Sequence, residues 1–207
     1  GRSVELERLR ALWKAARHGG RHVVLISGEA GVGKTRLVAE VAQLANDDAA
    51  VLVGRCDPVA AMPYHVVVEA LRASAEVAGT LAEAPEVIRV RLAPLLDDTD
   101  SRSDAAASPA DEVSDARREL FEACEWLLTR VSARVPVLFV VEEAERLDRA
   151  GSLLLRHLAG RLPQHVLLVD MLGAPIRFTT LDHQFYVGSA GQVPFHPAGS
   201  QEIADAA

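Results

Sequence analysis

The 207-residue sequence predicts an α/β fold: a parallel sheet of about five strands, covered by helices on both faces. Three observations lead there. Short β-branched runs recur at 23–26, 51–53, 137–141 and 166–169, separated by stretches of helical period. The run VLFVV at 137–141 is apolar throughout, as befits a parallel strand buried on both faces. A glycine-rich turn, GEAGVG at 28–33, joins the first run to a stretch of helical period.

Taken in order, residues 4–17 place Leu6, Leu9, Leu12 and Trp13 at helical spacing, and Gly19 and Gly20 end that helix. A strand at 23–26, a helix from 34 to about 44 and a strand at 51–53 follow. Residues 62–78, MPYHVVVEALRASAEVA, read as helix with Pro63 near its start. The segment DDTDSRSDAAASPADEVSD at 97–115 is polar, acidic and without period, and is expected to be a flexible surface insertion. Leu120, Phe121, Cys124, Leu127 and Leu128 then share one face of a helix over 117–131. The apolar strand at 137–141, a helix at 152–162 and a strand at 166–169 complete the alternation. From Gly173 onward Gly, Pro and aromatic residues dominate, with a further strand expected at 193–196 and a helix beginning after Ser200. The chain has no internal repeat.

Composition narrows the function. Apolar residues make up 49% and charged residues 25%, the balance of a folded globular domain. A net charge of −7, with no basic patch, argues against a direct nucleic-acid surface, which needs Lys and Arg to neutralise phosphates. No run reaches membrane length, and the opening GRSVELERLR is not a signal peptide, so no membrane contact and a cytoplasmic location are expected. Cys56 and Cys124 stand far apart and read as two small buried thiols.

The glycine turn carries the chemistry. Gly28, Glu29, Ala30, Gly31, Val32, Gly33, Lys34 and Thr35 spell G-x-x-x-x-G-K-T between a strand and a helix, the pattern of a phosphate-binding loop. A loop that wraps phosphates turns its N–H groups inward, a backbone path that glycine permits. The helix that follows, beginning with Lys34, Thr35 and Arg36, points its positive end at the same phosphates. Lys34 is expected on the β- and γ-phosphates and the Thr35 hydroxyl on Mg²⁺. The guanine-reading N-K-x-D is missing, and the D-x-x-G at 148–151 lies too far past its strand to meet a γ-phosphate. ATP or ADP with Mg²⁺ is therefore the expected ligand. The strand at 51–53 falls between the loop helix and the acidic strand end at Glu142 and Glu143, the arrangement of additional-strand ATPases.

The chain resembles the nucleotide-binding core of the STAND branch of AAA+-related ATPases, and more closely that of MalT-like, LuxR-type bacterial transcriptional regulators. GRSVELERLRAL is similar to the opening box of that family, LISGEAGVGKTRLV to its phosphate loop, and VGRCDPVAAMPYHVVVEALR to the segment after its second strand. PVLFVVEEAERLDRAGSLLLRHLAGRLP is similar to its acidic-strand region, and VPFHPAGSQEIADAA to its last core strand and the start of its lid. The resemblance implies a three-layer P-loop NTPase core over 1–207, with lid and effector domains belonging to a larger protein. It implies that Arg2 approaches the nucleotide, that Glu142 orients the metal, and that Glu143 polarises the attacking water. Other domains of the same regulator, or a second copy, are the implied partners.

Departures from the family pattern bear on turnover. Glu142 stands where the family usually has Asp, and one extra methylene moves the carboxylate by roughly 1 Å, enough to cost about a hundredfold in rate. Ala144, Glu145, Arg146 and Leu147 replace the usual Leu-His-Trp-Ala, although Asp148 is kept. The sensor that follows the next strand in the family has no polar counterpart here, and Arg177 is not assigned to that role. The expected function is an ATP/Mg²⁺ switch module with slow or no hydrolysis. The alternatives are a catalytically silent nucleotide-binding scaffold and a small-molecule phosphotransferase. Elsewhere, His18 and His22 straddle two glycines and make a poor metal pair. Asp182 and His183 near Ser189 lack a nucleophile elbow, and Trp13 and Trp126 sit on apolar helix stripes as core residues.

Overall fold

The computed structural model describes residues 3–28, 31–45, 48–56, 63–96, 110–173 and 178–181. Helix α1 (Ser3–Arg17) leads into strand β1 (Arg21–Ser27), and helix α2 (Lys34–Ala45) into strand β2 (Ala50–Arg55). Four helices follow: α3 (His65–Arg72), α4 (Ala75–Ala82), α5 (Glu86–Leu96) and α6 (Ala110–Ser132). Strand β3 (Val137–Glu142), a single 3₁₀ turn (Ala144–Arg146), helix α7 (Arg149–Gly160), strand β4 (Val166–Leu172) and strand β5 (Phe178–Leu181) complete the described chain.

The strands lie in the order β2-β3-β4-β1-β5. The first four are parallel, and β4 is inserted between the loop strand β1 and the acidic strand β3. Strand β5 corrects the expected parallel count: it pairs antiparallel with β1, Ile26 opposite Phe178 and Val23 opposite Leu181. An antiparallel partner needs no crossover helix, so a short connection suffices to lay it on the edge.

Side chains alternate across the sheet, and this builds three layers. Val24, Ile26, Leu138, Val140, Leu167 and Val169 face α1 and α2, meeting Leu9, Trp13, Leu37, Val38 and Val41. Val23, Leu52, Val137, Phe139, Val141, Val166 and Leu168 face the opposite layer of α3 to α7. Every residue of β3 is buried, as its unbroken apolar run anticipates.

Local chemistry sets the boundaries. The amides of Gly19 and Gly20 donate to the carbonyls of Ala16 and Ala15 at 3.0 and 2.9 Å, closing α1 where the sequence places its end. The helix expected over 62–78 is two helices. Ser74 has extended backbone, and its hydroxyl accepts from the Val77 amide at 3.3 Å, capping α4 instead of continuing α3. The segment expected as a flexible insertion over 97–115 is shorter at its far end, since 110–115 already belong to α6. Residues 97–109 lie outside the described residues, as do the strand expected at 193–196 and the helix expected after Ser200. Among the described residues no helix is long and apolar enough to cross a membrane.

Candidate functional site

Strand β1 delivers the glycine turn to the carboxyl edge of the sheet. The Gly28 amide donates to the Leu172 carbonyl at 3.1 Å, so the chain is still tied to β4 as it leaves the strand. Gly31 and Gly33 adopt φ of +77° and +95°, the left-handed region that side chains disfavour. A Cβ placed on either would meet nothing within 4 Å, so this stretch of backbone borders open space and not packed side chains. The Lys34 ammonium donates to the Gly28 carbonyl at 2.6 Å, which brings its charge back across the turn. Thr35 is exposed in the first turn of α2, whose first helical hydrogen bond runs from the Leu37 amide to the Gly33 carbonyl at 3.1 Å. Two glycines of positive φ just before a helix N-terminus, with an ammonium held back across the turn, fit a phosphate group. Val32 and Gly33 are half-buried and Arg36 is exposed. Arg2, Glu29 and Ala30 lie outside the described residues.

The acidic pair is placed by β3. Val141 is in register with Asp170 of β4, which is in register with Leu25 of β1. Glu142 therefore stands level with Ile26, two strands away, or about 10 Å sideways at ordinary strand spacing. The glycine turn and the acids thus share one edge of the sheet.

Glu142 is the last residue of β3 and is buried. Its Oε2 accepts from Arg55 Nε at 2.8 Å and lies 2.6 Å from Arg55 Nη2. Arg55 ends β2 directly opposite Glu142 in the ladder, and the Cys56 amide donates to the Glu142 carbonyl at 3.2 Å. The contact raises the Arg55 pKa, so the guanidinium stays charged. Arg55 is 61% exposed, so solvent screens the pair and its net worth is about 1 kcal/mol or less. Its consequence is positional: a carboxylate expected to face a metal already has a cation on it. Glu143 adopts φ 56° and ψ 42°, a left-handed conformation worth about 1 kcal/mol of strain in a residue with a side chain. Its Oε2 lies 3.1 Å from Arg146 Nη1, and the side chain is 44% exposed.

Two residues were missed in the sequence. Arg55 lies in the stretch VGRCDPVAAMPYHVVVEALR with no role implied for it, and only the pairing of β2 with β3 puts it on Glu142. The strand expected at 166–169 leaves Asp170 outside it, yet β4 continues to Leu172 and buries it completely. It falls on the same side as Val166 and Leu168, and among the described residues neither carboxylate oxygen has a hydrogen-bond partner. Burial, helped by the charge of Glu145, pushes its pKa up to about 8. Burial also pushes the Cys56 thiol up to about 12, with Asp170 adding to the shift, and burial does the same to Cys124. Both thiols are therefore poor nucleophiles.

Remaining candidates resolve locally. Asp148 caps α7, accepting from the amides of Ala150 and Gly151 at 3.1 and 3.0 Å, which accounts for the D-x-x-G at 148–151 as a helix start. Nδ1 of His18 lies 2.7 Å from the Lys14 carbonyl oxygen. Among the described residues no group of three His, Cys, Asp or Glu side chains is placed to hold a metal ion. Trp13 is buried, while Trp126 is half-buried with the Arg130 guanidinium 5.4 Å from its ring centre. Arg177, Asp182, His183 and Ser189 lie outside the described residues.

A parallel sheet with a glycine turn and lysine after β1, an acidic end on β3 and β4 between them defines a P-loop nucleotide-binding core of the AAA+ kind. Residues 1–169 match the family model of the AAA ATPase domain, and the chain belongs to that family of nucleotide-binding modules. A comparison with curated proteins found no match.

Proposed function

We propose that this chain is the ATP- and Mg²⁺-binding switch core of a multidomain, cytoplasmic signalling or transcriptional regulator, of the STAND kind that MalT-like, LuxR-type proteins represent, with slow or no hydrolysis. The observation that carries the slow-hydrolysis reading is the Arg55 guanidinium on Glu142, at 2.6 and 2.8 Å from one carboxylate oxygen.

Each residue has a part in this reading. The backbone of Gly28 to Gly33 receives the phosphates, and Lys34 leaves the Gly28 carbonyl to meet them. Thr35 and Glu142 are the residues that would hold Mg²⁺, which when bound supplies charge neutralisation on the β- and γ-phosphates. Glu143 is the group for polarising water, and Arg146 draws its carboxylate toward the 3₁₀ turn. Arg55 competes for Glu142. A competitor worth about 1 kcal/mol lowers metal engagement roughly fivefold, in addition to the displacement that the longer Glu side chain brings. Binding depends mainly on the loop and is spared. A nucleotide that persists suits a switch, in which the state of the core shifts its contacts with neighbouring domains or with a second copy.

The test joins affinity to conformation. Calorimetric titration with ATP and Mg²⁺ should give saturable binding that Lys34→Ala weakens at least about tenfold, the size expected for one charge-assisted contact. Hydrogen exchange over Glu142–Gly160 should then differ between the ATP and ADP complexes. Unchanged affinity in Lys34→Ala would remove the loop assignment, and identical exchange in both complexes would remove the switch.

A further inference from the structure

A second cleft lies away from the nucleotide edge, between α6 and α7. It is an open depression with a volume of about 430 Å³, lined by Arg117, Phe121, Leu153, Arg156, His157, Gly160 and Arg161. That volume falls within the range of small-molecule sites, roughly 300–1,000 Å³. The two helices run side by side in the same direction. Phe121 meets His157 with ring centres 5.4 Å apart, and one turn further on Glu125 lies 3.5 Å from Arg161. Arg117, Phe121 and Glu125 thus form a row on α6 that matches Leu153 and His157 on α7 and Arg161 just past its end.

The charge in this cleft runs against the rest of the molecule. The chain carries −7 overall, yet three arginines line this depression. One carboxylate answers them: Glu125 Oε2 sits 3.0 Å from His157 Nε2 and 3.5 Å from Arg161 Nη1. Arg117 and Arg156 form no ion pair with a described residue. The apolar side of the cleft is equally defined. Phe121 is held edge-on by Tyr64, ring centres 6.1 Å apart, and Leu153 stands beside it.

We propose that this cleft binds a small organic carboxylate with a ring-sized apolar body. Its carboxylate lies between Arg117 and Arg156, and its body against Phe121 and Leu153. A guanidinium presents a planar pair of N–H donors that matches a carboxylate. Leu153 and the accessible edge of Phe121, which Tyr64 holds in place, supply apolar contact with little ordering cost. The proposal does not depend on the nucleotide reading.

The probe is 1-naphthoate, titrated into the whole chain by calorimetry, with neutral naphthalene-1-methanol and acetate as comparisons. Naphthoate should saturate in the low millimolar range or tighter, and both comparisons should bind at least about tenfold more weakly, as one charge-assisted pair requires. The exposed double variant Arg117→Gln/Arg156→Gln should weaken naphthoate by about tenfold or more, whereas Lys34→Ala should leave it within about twofold, being a distant site. Equal binding of the neutral alcohol, an unaffected double variant, loss in Lys34→Ala, or no saturation by roughly 20 mM would each overturn the proposal.

Discussion

Asp170 is the residue whose chemistry is most at odds with its surroundings. It is a fully buried carboxyl in a central strand, without a hydrogen-bond partner for either oxygen among the described residues, and its pKa rises from 3.8 to about 8. The unfolded chain releases this proton near pH 4, while the folded chain keeps it to about 8. Below pH 4 both states are protonated and the group adds no pH-dependent penalty. As pH rises from 4 to 8 unfolding becomes progressively favoured, by on the order of a few kcal/mol in all, and above 8 the penalty is constant. Asp170→Asn keeps the shape and removes the titration. Denaturant unfolding should therefore show the variant more stable than the parent at pH 7, with the difference shrinking toward pH 4. A difference that does not change with pH would contradict the buried, protonated assignment. The sequence hid this residue because a carboxylate ordinarily ends a buried strand. The expected strand stopped at 169, and Asp170 was placed outside it.

At the scale of elements, β2 shows what a single sequence reveals and what it does not. Its β-branched run was legible, as were those of β1, β3 and β4, because Val and Ile both favour strands and supply the core. Its register was not legible, since opposing residues are fixed by tertiary pairing. Arg55 is set against Glu142 by that register alone. Gly54, just before it, is required by close approach: an added Cβ would lie 2.0 Å from the Val66 carbonyl oxygen of α3. Gly54→Ala should push α3 off the sheet at a cost of roughly 1–3 kcal/mol. The midpoint of thermal unfolding should then fall by at least about 2 °C in a chain of this size. Gly79→Ala, in α4, meets nothing within 4 Å and should be neutral or slightly stabilising. Equal effects from the two substitutions would show that β2 and α3 are not packed as described. Other boundaries escaped for local reasons. Ser74 looks like any residue of a helix interior until its hydroxyl is seen capping α4. The first turns of α6 carry no apolar period, although their Ala and Glu favour helix.

For the molecule as a whole, the sheet order brings the glycine turn and the acidic strand end to one edge, and the sequence alone made both motifs readable. It could not show that the acid it assigned to the metal is already engaged by Arg55. Base selection follows from what the chain lacks: with no guanine-reading motif, ATP and ADP should raise the unfolding midpoint more than GTP and GDP at equal concentration, by mass action. Equal protection by GTP would contradict an adenine preference. The most direct test of the central claim is phosphate release by the purified chain under saturating ATP and Mg²⁺. The account predicts turnover far below the enzymatic median of about 10 per second, rising several-fold in Arg55→Gln as Glu142 is released. Brisk turnover in the parent chain, abolished by Glu143→Gln, would contradict it.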